Sequence, residues 1–129
     1  MILNLTYVAF GGALGAALRY LVGLSVVRLI GPGLWSGFPV AIITVNVIGS
    51  FLMGAFVVLA AHRGLTHLSP LVMTGFLGGF TTFSAFSLET VTLMERGDYG
   101  AAGIYVTVSV IGAVGALMLG MIVMRGLLA

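Results

Sequence analysis

The sequence predicts an all-α membrane protein with four transmembrane helices, a break in the third helix, and assembly as an antiparallel homodimer. Three observations lead to this prediction: four long apolar runs, an unusual glycine-rich and hydroxyl-rich stretch in the third run, and an even arginine balance across the membrane. The 129 residues are 60% hydrophobic and 6% charged, with a mean hydropathy of +1.26. Soluble domains carry roughly 25% charged residues, so this composition indicates that the bilayer is the solvent.

Four runs are long enough to cross a membrane, because a helix needs about 20 apolar residues to span the hydrocarbon core. They cover about 3–29, 38–61, 68–94 and 99–124, and the connections 30–37, 62–66 and 95–98 are short. Residues 1–129 are therefore predicted to form a single four-helix transmembrane domain. The first run is too long for a secretory signal and contains Arg19, so it is expected to be retained as a span.

Small residues recur at helical spacing in three of the four runs. Helices pack closely in lipid when small residues let their backbones approach, and interhelical hydrogen bonds add to this. The stripes contain Gly11, Gly12, Gly15 and Ala16; Asn46, Gly49, Ser50 and Gly54; and Ser109, Gly112, Ala113, Ala116 and Gly120. Most of these positions are predicted to be packing surfaces only.

The arginines do not give the chain a preferred orientation. If the N-terminus is cytoplasmic, Arg63 and Arg125 lie inside while Arg28 and Arg96 lie outside, and lysine is absent. The positive-inside rule therefore gives no answer. The rule is noisy for very small proteins, but the balance also fits a chain that inserts both ways and pairs head to tail with itself. Four short helices leave little room for both a packed core and a polar path, so a homo-oligomer is expected. A two-fold dimer is the commonest kind.

Polar residues within the spans need partners, because buried polar groups are costly in a bilayer. Asn46 is either an interhelical hydrogen-bond clasp or a donor that points into a cavity. Tyr105 and Ser109 lie one helical turn apart and share a face, which an interfacial tyrosine anchor does not explain. Arg19 has three possible roles: it snorkels, pairs with Glu89 on another helix, or forms a positive vestibule that gathers anions.

The stretch GFLGGFTTFSAFSLE, residues 75–89, combines paired glycines, hydroxyls and aromatic rings. We expect Gly78-Gly79 to weaken the helix, since glycine costs roughly 1 kcal/mol against alanine in a helix interior. Unwound backbone is tolerated in a membrane only where it is buried in protein or lines a wet site. Its freed carbonyls favour a cation, and helix N-termini favour an anion. The stretch therefore predicts an ion path.

The side chains near this stretch favour an anion over a cation. Phe83 and Phe86 are three residues apart, and ring edges carry partial positive charge that contacts an anion without holding it tightly. Hydroxyl and amide donors that can replace lost hydration are those of Asn46, Thr82, Ser84, Tyr105 and Ser109. Acidic oxygens are few, but these residues alone leave the identity of the ion open.

Several other classes of protein are excluded or weakened by what the sequence lacks. Without cysteine there is no disulfide framework, thiol nucleophile or thiolate metal site. The single arginines do not make the clustered basic face of a nucleic-acid-binding protein. His62 and His67 are predicted to be surface residues. The sequence contains neither a nucleophile paired with a base nor a GxxxxGK[ST] motif, so an enzyme is not expected.

With these residues the chain resembles the Fluc (CrcB) family of small fluoride channels. The resemblance covers essentially the whole chain, through GGALGAALRY, TVNVIGSFLMG, GFLGGFTTFSAFSLE and the Tyr105/Ser109 pair. It implies a dual-topology homodimer in the prokaryotic inner membrane, with two separate pores that let toxic fluoride leave passively. It also implies a structural sodium ion at the dimer interface.

The resemblance assigns roles to individual residues. Asn46 matches the pore asparagine, and Phe83 and Phe86 match the rings that contact fluoride. Gly78 and Thr81 match the positions whose carbonyls hold the sodium ion. Tyr105 and Ser109 match the polar track of the fourth helix, and Arg19 matches the basic residue of the first helix. Thr82 and Ser84 are expected to add hydroxyls to the path, while Ala85 and Ala113 replace hydroxyls found in some relatives.

Two alternatives remain beside a passive channel. A proton-coupled exporter of dual topology needs a titratable carboxylate deep in a span, and Glu89 lies near a helix end. A non-conducting structural subunit would explain the glycine stripes but not the polar residues in mid-membrane.

Overall fold

The computed structural model describes residues 1–30 and 37–129, and within these ranges the chain is helical with short connections. Helix α1 covers Ile2–Ile30 and α2 covers Val40–Arg63. A 3-10 turn, Thr66–Leu68, leads into a π-helical segment, Pro70–Leu77, which continues as the short helix α3, Gly78–Phe80. Helix α4, Phe83–Glu95, and helix α5, Tyr99–Leu128, complete the chain.

The predicted number of spans is confirmed. In the described residues, four helical stretches are long and apolar enough to cross a membrane: Ile2–Ile30, Val40–Arg63, Thr66–Glu95 and Tyr99–Leu128. The connection predicted over 30–37 falls, at 31–36, outside the described residues. Helix α2 ends at Gly64, whose left-handed φ of 68° suits glycine and lets its N–H donate to the Ala60 carbonyl.

The predicted position of the break in the third span is wrong. Gly78 and Gly79 are helical, and the helix ends only at Phe80. Thr81 and Thr82 are the extended residues, with φ, ψ of −86°, 158° and −153°, 116°. Glycine lowers helix propensity, but propensity is a weak prior that tertiary contacts override. Here Gly79 packs closely on α1, where a side-chain carbon would collide with the Gly12 backbone.

Glycines join the helices into two closely packed pairs. Helix α1 packs on the π-helical segment and α3, where Gly11 faces the Leu71 carbonyl and Gly15 faces the Phe76 carbonyl. Helix α2 packs on α5 in the same manner at Gly54 and Gly120. A side-chain carbon at any of these four glycines would collide with backbone atoms of the partner helix. The small-residue stripes therefore act as packing surfaces, as the sequence predicts.

The loss of stability caused by a glycine-to-alanine substitution distinguishes packed glycines from exposed ones. Gly120→Ala brings a Cβ against the Phe51 carbonyl of α2, whereas Gly115 on the same helix has open space around it. We expect Gly120→Ala to lower the stability of the detergent-solubilised protein by about 1–3 kcal/mol, the usual cost of overpacking. Gly115→Ala should be neutral or slightly stabilising, since alanine is the better helix former.

Thermal unfolding of the two variants, followed by circular dichroism, measures this difference. Equal melting temperatures for Gly120→Ala and Gly115→Ala would contradict the close α2–α5 contact.

Candidate functional site

The two extended residues between α3 and α4 present backbone polar groups inside an apolar span. Such groups must find partners, because the hydrocarbon core offers no water to replace a lost helical hydrogen bond. The Thr81 N–H and the Thr81 hydroxyl both donate to the Leu77 carbonyl, at 3.0 and 2.9 Å. The N–H bond is the last helical hydrogen bond of this segment, and the chain is extended after it.

Asn46 of α2 satisfies the backbone of the second extended residue. Thr82 N–H donates to Asn46 Oδ1 at 2.8 Å, and Asn46 Nδ2 donates to the Thr82 carbonyl at 3.1 Å. The approach is possible because Gly49, one turn further along α2, has no side chain and lies against Thr81 and Phe80. The clasp considered from the sequence is therefore present, with the backbone of Thr82 as its partner.

Thr82 also begins the next helix. Its hydroxyl oxygen accepts a hydrogen bond from the Ala85 N–H at 3.1 Å and lies 3.2 Å from Ser84 Oγ. A threonine at this position satisfies one of the free N–H groups at a helix N-terminus, and its loss typically costs about 1 kcal/mol. The Thr82 hydroxyl that the sequence assigns to the ion path thus also caps α4.

A partly open cavity of about 360 Å³ lies between α2, the extended segment with the start of α4, and α5. Five of the predicted path residues line it together: Asn46, Thr82, Phe83, Phe86 and Ser109. Thr81 lines it as well. The remaining lining residues are Gly49, Ser50, Met53, Val110, Ala113, Val114 and Leu117. The tertiary structure therefore brings most of the predicted site into one place.

Aromatic rings connect the cavity to the core. Phe83 and Phe86 have ring centroids 5.3 Å apart at an angle of 42°, and Phe86 lies 5.4 Å from the Tyr105 ring. Tyr105 in turn meets Phe38 edge to face at 5.8 Å. Phe83 is 78% exposed in the single chain, while Tyr105 is fully buried. The series of rings thus begins on an uncovered face and ends in the core.

Two hydroxyls on α5 are sealed inside the bundle without partners. Tyr105 Oη and Ser109 Oγ are buried, and neither forms a hydrogen bond to a described residue. An unpaired buried hydroxyl costs roughly 1–3 kcal/mol. Tyr105 is therefore not the interfacial anchor that would leave its hydroxyl in the headgroup region. Of the two residues, Ser109 also lines the cavity, whereas Tyr105 does not.

Four predicted residues lie outside the cavity lining. Ser84 is exposed and contacts Thr82, Gly78 is exposed on α3, and Tyr105 lies behind Phe86. Arg19 is half-buried on α1, the helix that packs on the other side of the third span. Arg19 forms no ion pair with Glu89, although both residues lie in the described part of the chain.

The lining also contains residues that sequence reasoning did not assign to a path. The sequence predicts Gly49 and Ser50 only as part of a packing stripe. Met53 and Leu117 have apolar side chains that do not distinguish them from other membrane residues. The available signal was the spacing of Ser50, which lies one helical turn after Asn46 and therefore on the same face. Apolar lining residues cannot be distinguished from lipid-facing residues by composition.

The cavity is uncharged and mostly apolar, with a few hydrogen-bond donors in its lining. None of the described residues that line it is charged. The N-terminus of α4, at Thr82 and Phe83, also lies at this cavity, and helix N-termini carry partial positive charge that favours anions. Amide, hydroxyl and ring-edge donors around such a space can replace water molecules in the hydration shell of a small anion.

Comparisons with known proteins show which family the chain resembles. The family described as CrcB-like protein, Camphor Resistance (CrcB), matches residues 6–121. The chain is 61% identical to the fluoride-specific ion channel FluC of Ruegeria sp. (strain TM1040), over 99% of each chain. It is 65% identical to that of Roseobacter denitrificans over 95% of this chain and 96% of the relative. The FluC of Cereibacter sphaeroides (strain ATCC 17029 / ATH 2.4.9) is 54% identical over the full length of both.

Four helices able to span a membrane, and similarity along nearly the whole chain to proteins named as ion channels, identify a multi-pass membrane protein. The chain belongs to the CrcB family.

Proposed function

We propose that this protein is a channel selective for fluoride. The observation that carries the proposal is the uncharged cavity that Asn46, Thr82 and Ser109 line together with the rings of Phe83 and Phe86. Relatives that share 54–65% identity along nearly their whole length are named as fluoride-specific ion channels. Together, the cavity and the relatives favour fluoride conduction over other anion-binding roles.

The ion crosses by exchanging water for neutral donors. Asn46 uses one amide proton for the Thr82 carbonyl, so the second amide proton remains for the anion. Ring edges of Phe83 and Phe86 add weak positive charge beside it. A fixed arginine at this point would bind the ion too strongly for it to leave, and conduction requires both entry and departure.

Transport runs passively down the electrochemical gradient. The neutral acid enters the cell and dissociates in a less acidic cytoplasm, so fluoride accumulates inside and a leak through the inner membrane removes it. No titratable side chain lines the described cavity, and Glu89 is half-buried elsewhere on α4. A proton-coupled exporter, the main alternative, would need such a group in contact with the substrate.

The working unit is an antiparallel homodimer with two pores. The described part of a single chain leaves Phe83 and Gly78 uncovered on the third span, and its cavity partly open. A second copy inserted in the opposite direction would cover this face, and the even arginine balance permits both orientations. Each cavity then becomes one pore of the pair.

A structural sodium ion at the dimer axis fits the carbonyls of Gly78 and Thr81. In a continuous helix these oxygens would accept from the N–H groups of Thr82 and Ala85. Those two donors are instead directed to Asn46 Oδ1 and Thr82 Oγ1. Oxygen ligands suit hard cations, and two chains supply four such carbonyls. When bound, sodium would offset the partial negative charge that these oxygens bring together.

A fluoride-electrode efflux assay on purified protein in liposomes tests the function. With potassium fluoride inside, efflux should begin only when valinomycin lets potassium leave, since a channel moves net charge. It should proceed without a pH gradient, and chloride efflux should be far slower. Fluoride movement in fixed stoichiometry with protons would instead favour the exporter.

Replacing either ring of the pair tests its polar edge. Phe83→Ile and Phe86→Ile keep apolar bulk but remove the ring edge, and we expect each to lower fluoride efflux about tenfold or more. Phe10→Ile is the control, because Phe10 is exposed on α1 away from the cavity. Efflux from both cavity variants equal to that of Phe10→Ile would exclude the rings from conduction.

Asn46→Asp tests the amide donor. The aspartate keeps an acceptor for the Thr82 N–H but loses the donor and adds negative charge at the cavity. A carboxylate about 4 Å from an anion opposes it by about 4 kcal/mol at an effective dielectric constant of about 20. This corresponds to a loss of about a thousandfold in efflux at neutral pH.

Asn4→Asp provides the matched control on the exposed start of α1, and size-exclusion chromatography verifies that both variants remain assembled. Rapid efflux through Asn46→Asp would remove Asn46 from the ion path.

A further inference from the structure

Ser50 is a hydroxyl residue with an unusual hydrogen-bonding state. It lies on α2 one helical turn after Asn46, is half-buried, and lines the cavity. Its hydroxyl forms no hydrogen bond with any described residue. It also differs from Ser109 and Tyr105, whose oxygens are sealed inside the protein. The Ser50 hydroxyl is thus accessible from the cavity.

The state of Ser50 contrasts with that of most other hydroxyls in these helices. A serine or threonine in an apolar helix usually donates to the carbonyl four residues earlier, which satisfies its proton. Eight described residues do so: Thr6, Ser25, Thr44, Thr81, Ser87, Thr90, Thr92 and Thr107. Thr44 does so on the same helix as Ser50, so α2 itself does not prevent this bond. The Ser50 proton is left for a ligand in the cavity.

Ser50 lies between a polar part and an apolar part of the cavity lining. Asn46, Thr82 and Ser109 are the polar residues in one part of the lining, and Asn46 keeps one amide proton that no described residue accepts. Further along α5 the lining is apolar, with Ala113 one turn after Ser109 and Leu117 one turn beyond that. Met53 continues the apolar wall on α2. Among the described lining residues, Ser50 is the polar side chain that lies between these two parts on α2.

We propose that Ser50 donates a hydrogen bond to the permeating anion and forms a second contact point on α2, after Asn46. The proposal rests on the proposed function of the same cavity as a fluoride path. Without Ser50, an anion that moves from the Asn46 amide toward the apolar wall would find no hydrogen-bond donor there. The Ser50 hydroxyl supplies the missing donor, which α5 does not offer at Ala113.

The test removes this hydroxyl from α2 and then introduces a hydroxyl on α5, on the other side of the cavity. Ser50→Ala should lower fluoride efflux in the liposome assay about tenfold, since a hydrogen bond to a charged group contributes about 1.5–3 kcal/mol. Ala113→Ser places a hydroxyl on α5 in the lining of the same cavity. The double variant Ser50→Ala with Ala113→Ser should recover much of the lost efflux. Thr44→Val serves as the control, because the Thr44 hydroxyl is already bound to the Val40 carbonyl.

Each outcome distinguishes this inference from the proposed function. Wild-type protein that carries fluoride, with Ser50→Ala equal to it, would overturn the role of Ser50 and leave the channel intact. A loss in Ser50→Ala that Ala113→Ser does not reduce would also overturn it, because the residue would then act through packing. Wild-type protein that carries no fluoride would remove both proposals. Size-exclusion profiles and melting temperatures of the variants show that they are folded.

Discussion

The structure depends on one interaction, the two hydrogen bonds between the Asn46 side chain and the backbone of Thr82. An extended residue in the middle of a membrane span exposes an N–H and a carbonyl that lipid cannot satisfy. Asn46 supplies a complementary acceptor and donor from one side chain, so the third span can unwind without leaving these groups unpaired. The same interaction holds α2 against the start of α4 and thereby closes one wall of the cavity.

Close glycine packing makes this interaction possible and also leaves the space beside it. The backbone of α1 meets the π-helical segment and α3, and the backbone of α2 meets α5, at glycines where no side chain fits. Contacts between backbones cannot be relieved by rotamer changes, so a larger side chain at these glycines would have to push the helices apart. The cavity lies where the α2–α5 pair meets the extended residues and α4.

Sequence patterns predicted the parts of this protein that depend on local chemistry. Long apolar runs gave four spans, glycine spacing gave the packing faces, and the isolated polar residues indicated where partners were needed. Glycine propensity places the break at Gly78-Gly79, whereas this pair is helical and Gly79 packs closely on Gly12 of α1. The extension occurs at Thr81 and Thr82, where side chains satisfy the freed backbone groups. This choice depends on Asn46, 36 residues away in the chain.

Four membrane spans and a site formed around residues 46 and 81–86 could be predicted from the amino-acid sequence, because hydropathy and the positions of polar residues within apolar runs are local properties. Which of these polar groups meet depends on the tertiary structure. It directed the Asn46 amide to Thr82, buried Tyr105 behind Phe86, and added Ser50 to the cavity lining. The physical reason is that a hydrogen bond or a cavity wall requires groups from different helices to approach within a few ångströms, and spacing along one helix does not specify that approach.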